Sequence, residues 1–260
     1  MSRLITLMFH DVYEHRPAES GFRGGRADRY KLSLMQFRRQ LRSIADARDD
    51  APVLVTESGW PGDPMRWAVS VDDGGVSFHS AVAPALAGYG WRGHCLVTTD
   101  RLGHHGFLHP HHIREIQAAG HLIGTHSASH PARFDSCPWD RLIAEWSRSR
   151  AVLEDLTGTE VVLGSVPGGY YTRRVAQAAQ AAGLRVLLTS EPRTAEWRVG
   201  DCRVLGRYAL RRDSPPDLAG RLVRRRPPAR LRQWTEWNAK KVLKKSLGNG
   251  YIRLSGRIAG

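Results

Sequence analysis

The chain has 260 residues, of which 41% are hydrophobic and 25% charged, the balance of a globular protein and not of a disordered or fibrous one. No stretch approaches the roughly 18–20 continuous apolar residues of a membrane-spanning helix. Cys95, Cys137 and Cys202 cannot all pair and show no C-x-x-C spacing, which argues against a disulfide framework or a thiolate zinc site. The formal charge of +14 is concentrated at one end: residues 201–260 hold 16 Lys and Arg against 4 Asp and Glu, whereas residues 1–200 hold 23 against 21. All 12 histidines lie between His10 and His130, so chemistry that needs imidazole is built from the first half.

In chain order, Leu4–Phe9 (LITLMF) is a short apolar run that reaches Asp11 too soon to hold a signal-peptide core; a soluble, cytoplasmic chain is expected on that ground. A loop over 11–29 with Pro17, Gly21, Gly24 and Gly25 leads to a helix that Ser33 can cap. Trp67–Val71 (WAVSV) reads as a strand ending in Asp72-Asp73-Gly74-Gly75, followed by a helix over 76–89 and a strand over 94–98. The alternation continues with a helix over 110–119, a strand over 122–124, a long amphipathic helix over 139–156, a strand over 161–166, a helix over 173–182 and a strand over 184–189. Strands alternating with helices at this spacing predict parallel strands with helices outside them, as an open α/β sheet or a barrel.

In either architecture reactive groups gather at the C-terminal ends of the strands. Those ends carry His10-Asp11, Asp72-Asp73, Thr98 to Asp100, His126 to His130, Pro167-Gly168-Gly169 and Ser190-Glu191-Pro192. His126 and His130 are four apart, and a carboxylate of the Asp72-Asp73 pair completes a set of two histidines and one carboxylate that leaves coordination positions open. Of two adjacent aspartates, one can bind the ion while the other, turned toward water, acts as general base. Taken alone, Asp-Asp-Gly-Gly reads as a turn and the histidine pair as surface residues; their coincidence at strand ends carries the chemical reading. His104, His105, His109, His111 and His112 cluster around Gly106 and read as solvated loop or helix-start residues.

The S-V-D-D-G-G segment at 70–75 and T-H-S-A-S-H-P at 125–131 are similar to the T-F-D-D-G and H-[ST]-x-x-H motifs of the polysaccharide deacetylases with a NodB-homology domain, carbohydrate esterase family 4. The resemblance covers roughly residues 4–210. It implies an α/β fold, a distorted (β/α) barrel of the NodB-homology type, with Asp72 as general base and Asp73, His126 and His130 as ligands of a divalent metal ion, zinc being expected. Two positions depart from the pattern: Ser165 stands where the third motif has an Arg that steers the catalytic Asp, and no histidine follows His130 to serve as the late general acid. His10 is the candidate replacement, either as that acid or as a histidine structuring a loop, with Asp11 as its orienter in both readings. Arg207 and Tyr208 can supply the missing charge or bind sugar hydroxyls. Pro167, Gly168, Gly169 and Tyr170 are expected at the substrate, with backbone N–H groups near Tyr170 and Tyr171 available to an oxyanion.

A catalytic domain over 1–210 and a basic, partly helical C-terminal extension over 211–260 are expected. Arg221–Arg232 is a Pro-interrupted basic linker, and Leu231–Leu247 reads as a helix with Leu231, Ala239, Val242, Leu243 and Leu247 on one arc. Lys240, Lys241, Lys244 and Lys245 fall on the opposite arc with Trp234 and Trp237, which suits an anionic membrane surface; the alternative is a helix packing its apolar arc on the barrel. The function expected is removal of N-acetyl or O-acetyl groups from a sugar or glycan precursor of cell-surface polysaccharide at the inner membrane face. The alternatives are another metal-dependent amide or ester hydrolase on the same scaffold and a degenerate carbohydrate-binding relative. Nucleic acid is not expected as a partner, since no recognised motif accompanies the basic tail.

Overall fold

The computed structural model describes residues 3–57, 65–224 and 227–247, with side chains described as far as residue 239. The strands are β1 (Arg3–Phe9), β2 (Val12–Tyr13), β3 (Leu32–Ser33), β4 (Met65–Val71), β5 (His94–Val97), β6 (Leu122–Thr125), β7 (Leu163–Ser165), β8 (Val186–Leu188), β9 (Trp197–Val199), β10 (Cys202–Leu205) and β11 (Arg207–Ala209). The helices are α1 (Gly25–Asp28), α2 (Leu34–Ala45), α3 (Ala83–Ala87), α4 (Pro110–Ala118), α5 (Trp139–Thr157), α6 (Arg173–Ala181), α7 (Leu218–Val223) and α8 (Pro227–Leu247). Ser33 caps α2 as expected, accepting the N–H of Gln36 while the Gln36 side chain returns to the Ser33 N–H. The helix expected over 76–89 instead begins as a π-helical turn, Phe78–Val82, before α3; such turns are frequent beside functional sites.

Nine strands form one sheet in the order β11-β1-β4-β5-β6-β7-β8-β10-β9, parallel throughout except for β9 against β10. One residue, Gly206, joins β10 to β11, although the two strands lie at opposite flanks of that order. A sheet can satisfy this only by curling round on itself. The seam is closed by the segment 191–195 and not by a strand ladder: Arg207 N–H donates to Glu191 O (2.8 Å), Leu4 N–H donates to Thr194 O (3.1 Å), and Arg3 bridges Ala195. A Cβ at Gly206 would lie 2.3 Å from Glu191 O, so the turn at the seam admits only glycine. This is the distorted α/β barrel expected from the sequence.

Strand alternation sorts the side chains. Leu4, Ala68, Leu96, Leu163, Leu188 and Leu205 pack together from successive strands inside the barrel, while Ile5, Leu7, Phe9, Trp67 and Val69 meet Phe37, Leu41 and Ile44 of α2 and other residues of the outer layer. Thr6 is in register with both Ala68 and Arg207. Counting by two from Ala68 brings Ser70 and Asp72 to the inner face, and counting from Leu163 brings Ser165 there. Asp72 and Ser165 of the site are therefore inward positions at the ends of their strands.

Residues beyond 210 share this core. Ala219, Leu222 and Val223 are fully buried in the outer layer, and Gln40 and Ser43 of α2 accept the N–H groups of Ala219 and Gly220. The packed body thus extends through α7, past the division expected at 210. Helix α8 begins at Pro227, earlier than expected, and the Gln233 side chain both accepts from Ala209 N–H (3.1 Å) and donates to Ala209 O (2.9 Å), occupying the free edge of β11. Leu231 and Ala239, placed by sequence on one apolar arc, are both exposed; the helix meets the body through Ala229 and through the Gln233 and Glu236 side chains. The side chains of Lys240, Lys241, Val242, Leu243, Lys244, Lys245 and Leu247, and residues 248–260, lie outside the described residues.

Candidate functional site

Strand β4 delivers the first motif. Asp72 N–H still donates to Phe9 O across the sheet (3.1 Å), and the chain then turns at Asp73, whose φ of 80° lies in the left-handed region. A Cβ at Gly75 would fall 1.6 Å from the Asp11 carboxylate, so the glycine makes room for that buried acid. Asp11 accepts from Ser20 Oγ (2.7 Å) and Ser77 Oγ (3.2 Å), tying the 14–30 loop to the turn beyond the motif. Burial raises its carboxyl to about 6 against those hydrogen bonds and the nearby Lys31 charge.

Strand β6 delivers the second. His126 N–H donates to Val97 O (2.8 Å), after which Ser127 and His130 take φ values of 67° and 54°. Asp73, Ser127 and His130 are the only non-glycine residues with positive φ among the described residues, and all three belong to this site. The bend is braced from α5. Ser129 donates its N–H (2.8 Å) and its Oγ (2.6 Å) to the buried Glu145 carboxylate, while Thr125 Oγ1 donates to Ser149 Oγ (2.6 Å) and accepts from Ser127 N–H (3.0 Å).

These two turns bring one ligand atom each of Asp73, His126 and His130 within 4.8 Å of one another. His126 Nε2 lies 3.5 Å and His130 Nε2 3.8 Å from Asp73 Oδ1. On its far side His126 Nδ1 meets Ser165 O (3.1 Å) and Ser165 Oγ (2.5 Å); a carbonyl can only accept, so Nδ1 carries the proton and Nε2 presents its lone pair toward Asp73. Burial pushes the His126 imidazole down to about 3 and also lowers His130. Burial raises the Asp73 carboxyl to about 7, opposed chiefly by His10. Two neutral imidazoles and a carboxylate that needs a nearby positive charge to ionise are a donor set suited to a divalent cation.

Asp72, next to these donors, is held differently. Arg207 Nη1 donates to Oδ1 (2.6 Å) and Nη2 to Oδ2 (2.7 Å), while Ser165 Oγ donates to Oδ1 (3.1 Å). Arg207 Nε donates to Thr189 O (3.0 Å), and the side chain has no exposed surface. Burial opposes ionisation of Asp72, but the Arg207 guanidinium overcomes it and holds the carboxyl well below the usual range. The charge missing from the Ser165 position is thus supplied by Arg207 from β11, and contact between Arg207 and a sugar is ruled out by its burial. Ser165 itself bridges His126 and Asp72, a role its position gives no sign of in the sequence.

The other expected substrate contacts divide. Pro167 is buried, and the Tyr170 N–H donates to Pro167 O (3.3 Å) within a short turn over Pro167–Gly169, so that amide is already engaged within the chain. Gly168 is exposed, Gly169 and Tyr170 are half-buried, and the Arg133 guanidinium lies 5.1 Å from the Tyr170 ring centroid. His10 is half-buried, its ring 4.8 Å from that of Tyr30, and its Nδ1 has no hydrogen-bond partner among the described residues. Sequence reasoning misses Phe22, whose ring lies 4.8 Å from His130 and 5.0 Å from Phe107; a phenylalanine in a Gly-rich loop carries no signal of its neighbours.

Residues 61–187 match the family model for polysaccharide deacetylase. That match spans just under half of the chain, and over it the sequence resembles the polysaccharide deacetylases. YxkH of Bacillus subtilis (strain 168), a protein described as a polysaccharide deacetylase, is 23% identical over 163 residues, 63% of this chain and 56% of that one. Among solved structures, IcaB from Ammonifex degensii superposes with a TM-score of 0.67 at 21% identity, covering 86% of this chain and 98% of that one. The Streptococcus pyogenes deacetylase PplD, in complex with acetate, superposes with a TM-score of 0.67 at 16% identity, over 85% and 96%. This chain shares the fold of these structures. Both His10 and Arg207 lie outside the residues that match the family model.

Proposed function

We propose that this protein is a polysaccharide deacetylase, a metal-dependent carbohydrate deacetylase that hydrolyses N-acetyl, or O-acetyl, groups on a sugar or glycan precursor of a cell-surface polysaccharide. The observation that carries the reading is the pairing, at one barrel end, of the Asp73–His126–His130 donor set with a second carboxylate, Asp72, kept ionised by Arg207. Asp73, His126 and His130 would hold the ion, for which zinc suits imidazole and carboxylate ligands. A divalent ion bound there supplies Lewis acidity and makes water a stronger acid.

Asp72 takes the proton from the attacking water. Because Arg207 holds it ionised, it is ready at any working pH, and because it is a weak base it depends on that water being acidified. Ser165 keeps one Asp72 oxygen and the His126 ring in a fixed relation. As the amide C–N bond breaks, acetate is one product and the leaving nitrogen needs a proton, for which His10 is the candidate donor. The exposed Gly168 edge and the Tyr170 ring suit the face of a sugar.

The partner surface follows from α8. Leu231 and Trp234 are 59% and 48% exposed on a helix whose neighbourhood is rich in arginine, a combination that suits an anionic bilayer carrying the substrate.

The test is acetate release from a panel of N-acetylated sugar oligomers beside simple amides and esters, with metal content measured on the same samples. Asp72→Asn should keep the ion and lower turnover by ~10²–10⁴-fold. Full turnover in that variant would refute Asp72 as the base, and release from simple esters alone would replace the carbohydrate reading.

A further inference from the structure

Outside the site just described, His109, His111 and His112, three of the histidines around Gly106, gather with His79 on one patch of the surface. His79, from the π-helical turn, donates or accepts through Nε2 with Glu115 Oε2 of α4 at 2.6 Å. Its ring stacks on that of His112 with centroids 4.2 Å apart and an interplanar angle of 20°, His111 lies 4.1 Å from His112, and His109 5.5 Å from it. His111 and His112 precede Glu115 by four and three residues, so they share its face of α4. Four imidazoles and a carboxylate from two helices are thus gathered on one partly exposed patch, none of them used by the proposed reaction.

Protonating such a group is opposed from several directions. His112 is lowered by burial and by the neighbouring His79, His111 and His109, with Glu115 opposing, and the first turn of α4 adds its own positive end. The His112 ring is thereby biased toward the neutral form, which carries the lone pair that ligates a metal. We infer that His79, Glu115 and the adjacent imidazoles of His111 and His112 form a second site, for a divalent transition-metal ion of the zinc or copper class.

The rings are stacked and do not yet converge on one point, and His112 Nδ1 accepts the His109 N–H as a helix cap (3.1 Å). Seating an ion therefore requires rotation of the exposed His111 and Glu115 side chains, a fast motion, and of the half-buried His79 and His112, with the cap given up if His112 ligates through Nε2. The ion would join the turn that follows Asp72–Gly75 to α4, a link that raises the stability of the folded chain on binding. This site is independent of the deacetylase reading.

The test is titration of the full chain with Zn²⁺, and with Co²⁺ for its spectrum, following bound metal and thermal stability. Wild type should show two classes of site, and His126→Ala should lose one and keep the other. His79→Gln and Glu115→Gln should each lose the one that His126→Ala keeps, along with its thermal increment, while acetate release is unchanged. A single class that vanishes in His126→Ala would overturn the inference, as would a second class that survives both His79→Gln and Glu115→Gln.

Discussion

Arg207 and Asp72 stand 135 residues apart and form two parallel hydrogen bonds in a space without solvent. A buried charge left without its partner is costly, so Arg207→Met should destabilise the fold by ~3–5 kcal/mol. Adding Asp72→Asn should recover part of that loss in chemical denaturation, whereas simple additivity would show that the two are not coupled. His94 is a different kind of buried residue: one ring nitrogen lies 2.6 Å from Val69 O and the other accepts the Val55 N–H at 2.9 Å. Burial lowers its pKa from 6.5 to about 4, so between those values the unfolded chain binds more protons than the folded one. The His94 contribution is therefore complete above pH about 6.5 and lost as pH falls through about 4, a difference of about 3 kcal/mol. His94→Gln, which keeps a donor and an acceptor without titrating, should have a flatter stability profile across that window. An unchanged profile would assign the acid sensitivity elsewhere.

The elements that matter most are two strand ends and the helix behind them. Left-handed backbone at non-glycine residues costs on the order of 1–2 kcal/mol each, and Asp73, Ser127 and His130 all adopt it. That strain persists because the surrounding hydrogen bonds allow little else, chief among them those from Ser129 to Glu145 of α5. Removing the brace with Glu145→Ala should weaken metal binding by ~10–100-fold, as measured by competition with a chelator. An unchanged affinity would show that the loop holds its shape without α5. The proximity of His126 and His130 is legible in the sequence because it depends on local spacing. The brace is not, since Glu145 and Ser149 look like ordinary polar residues of an amphipathic helix.

For the molecule as a whole, the unequal charge distribution sets the expectation at the surface. Vesicles containing anionic lipid should retain the protein in co-sedimentation more strongly than neutral ones, with weaker retention at high salt. Replacing exposed Leu231 and Trp234 with Ser should reduce that retention, and equal retention by neutral vesicles would remove the electrostatic part of the proposal. The sequence by itself determined the alternation of strands and helices, the placement of Asp72 and Asp73 at the end of β4 and the pairing of His126 with His130. Each follows from spacing within about ten residues and from the periods of strand and helix. Tertiary structure alone decided that Arg207 reaches Asp72, that Ser165 bridges Asp72 and His126, that α7 belongs to the core and that Gln233 covers the edge of β11. Those contacts depend on how the sheet closes, and closure turns on one glycine at the seam and on the register of β11 against β1, which bring together residues whose separation along the chain carries no periodic signal.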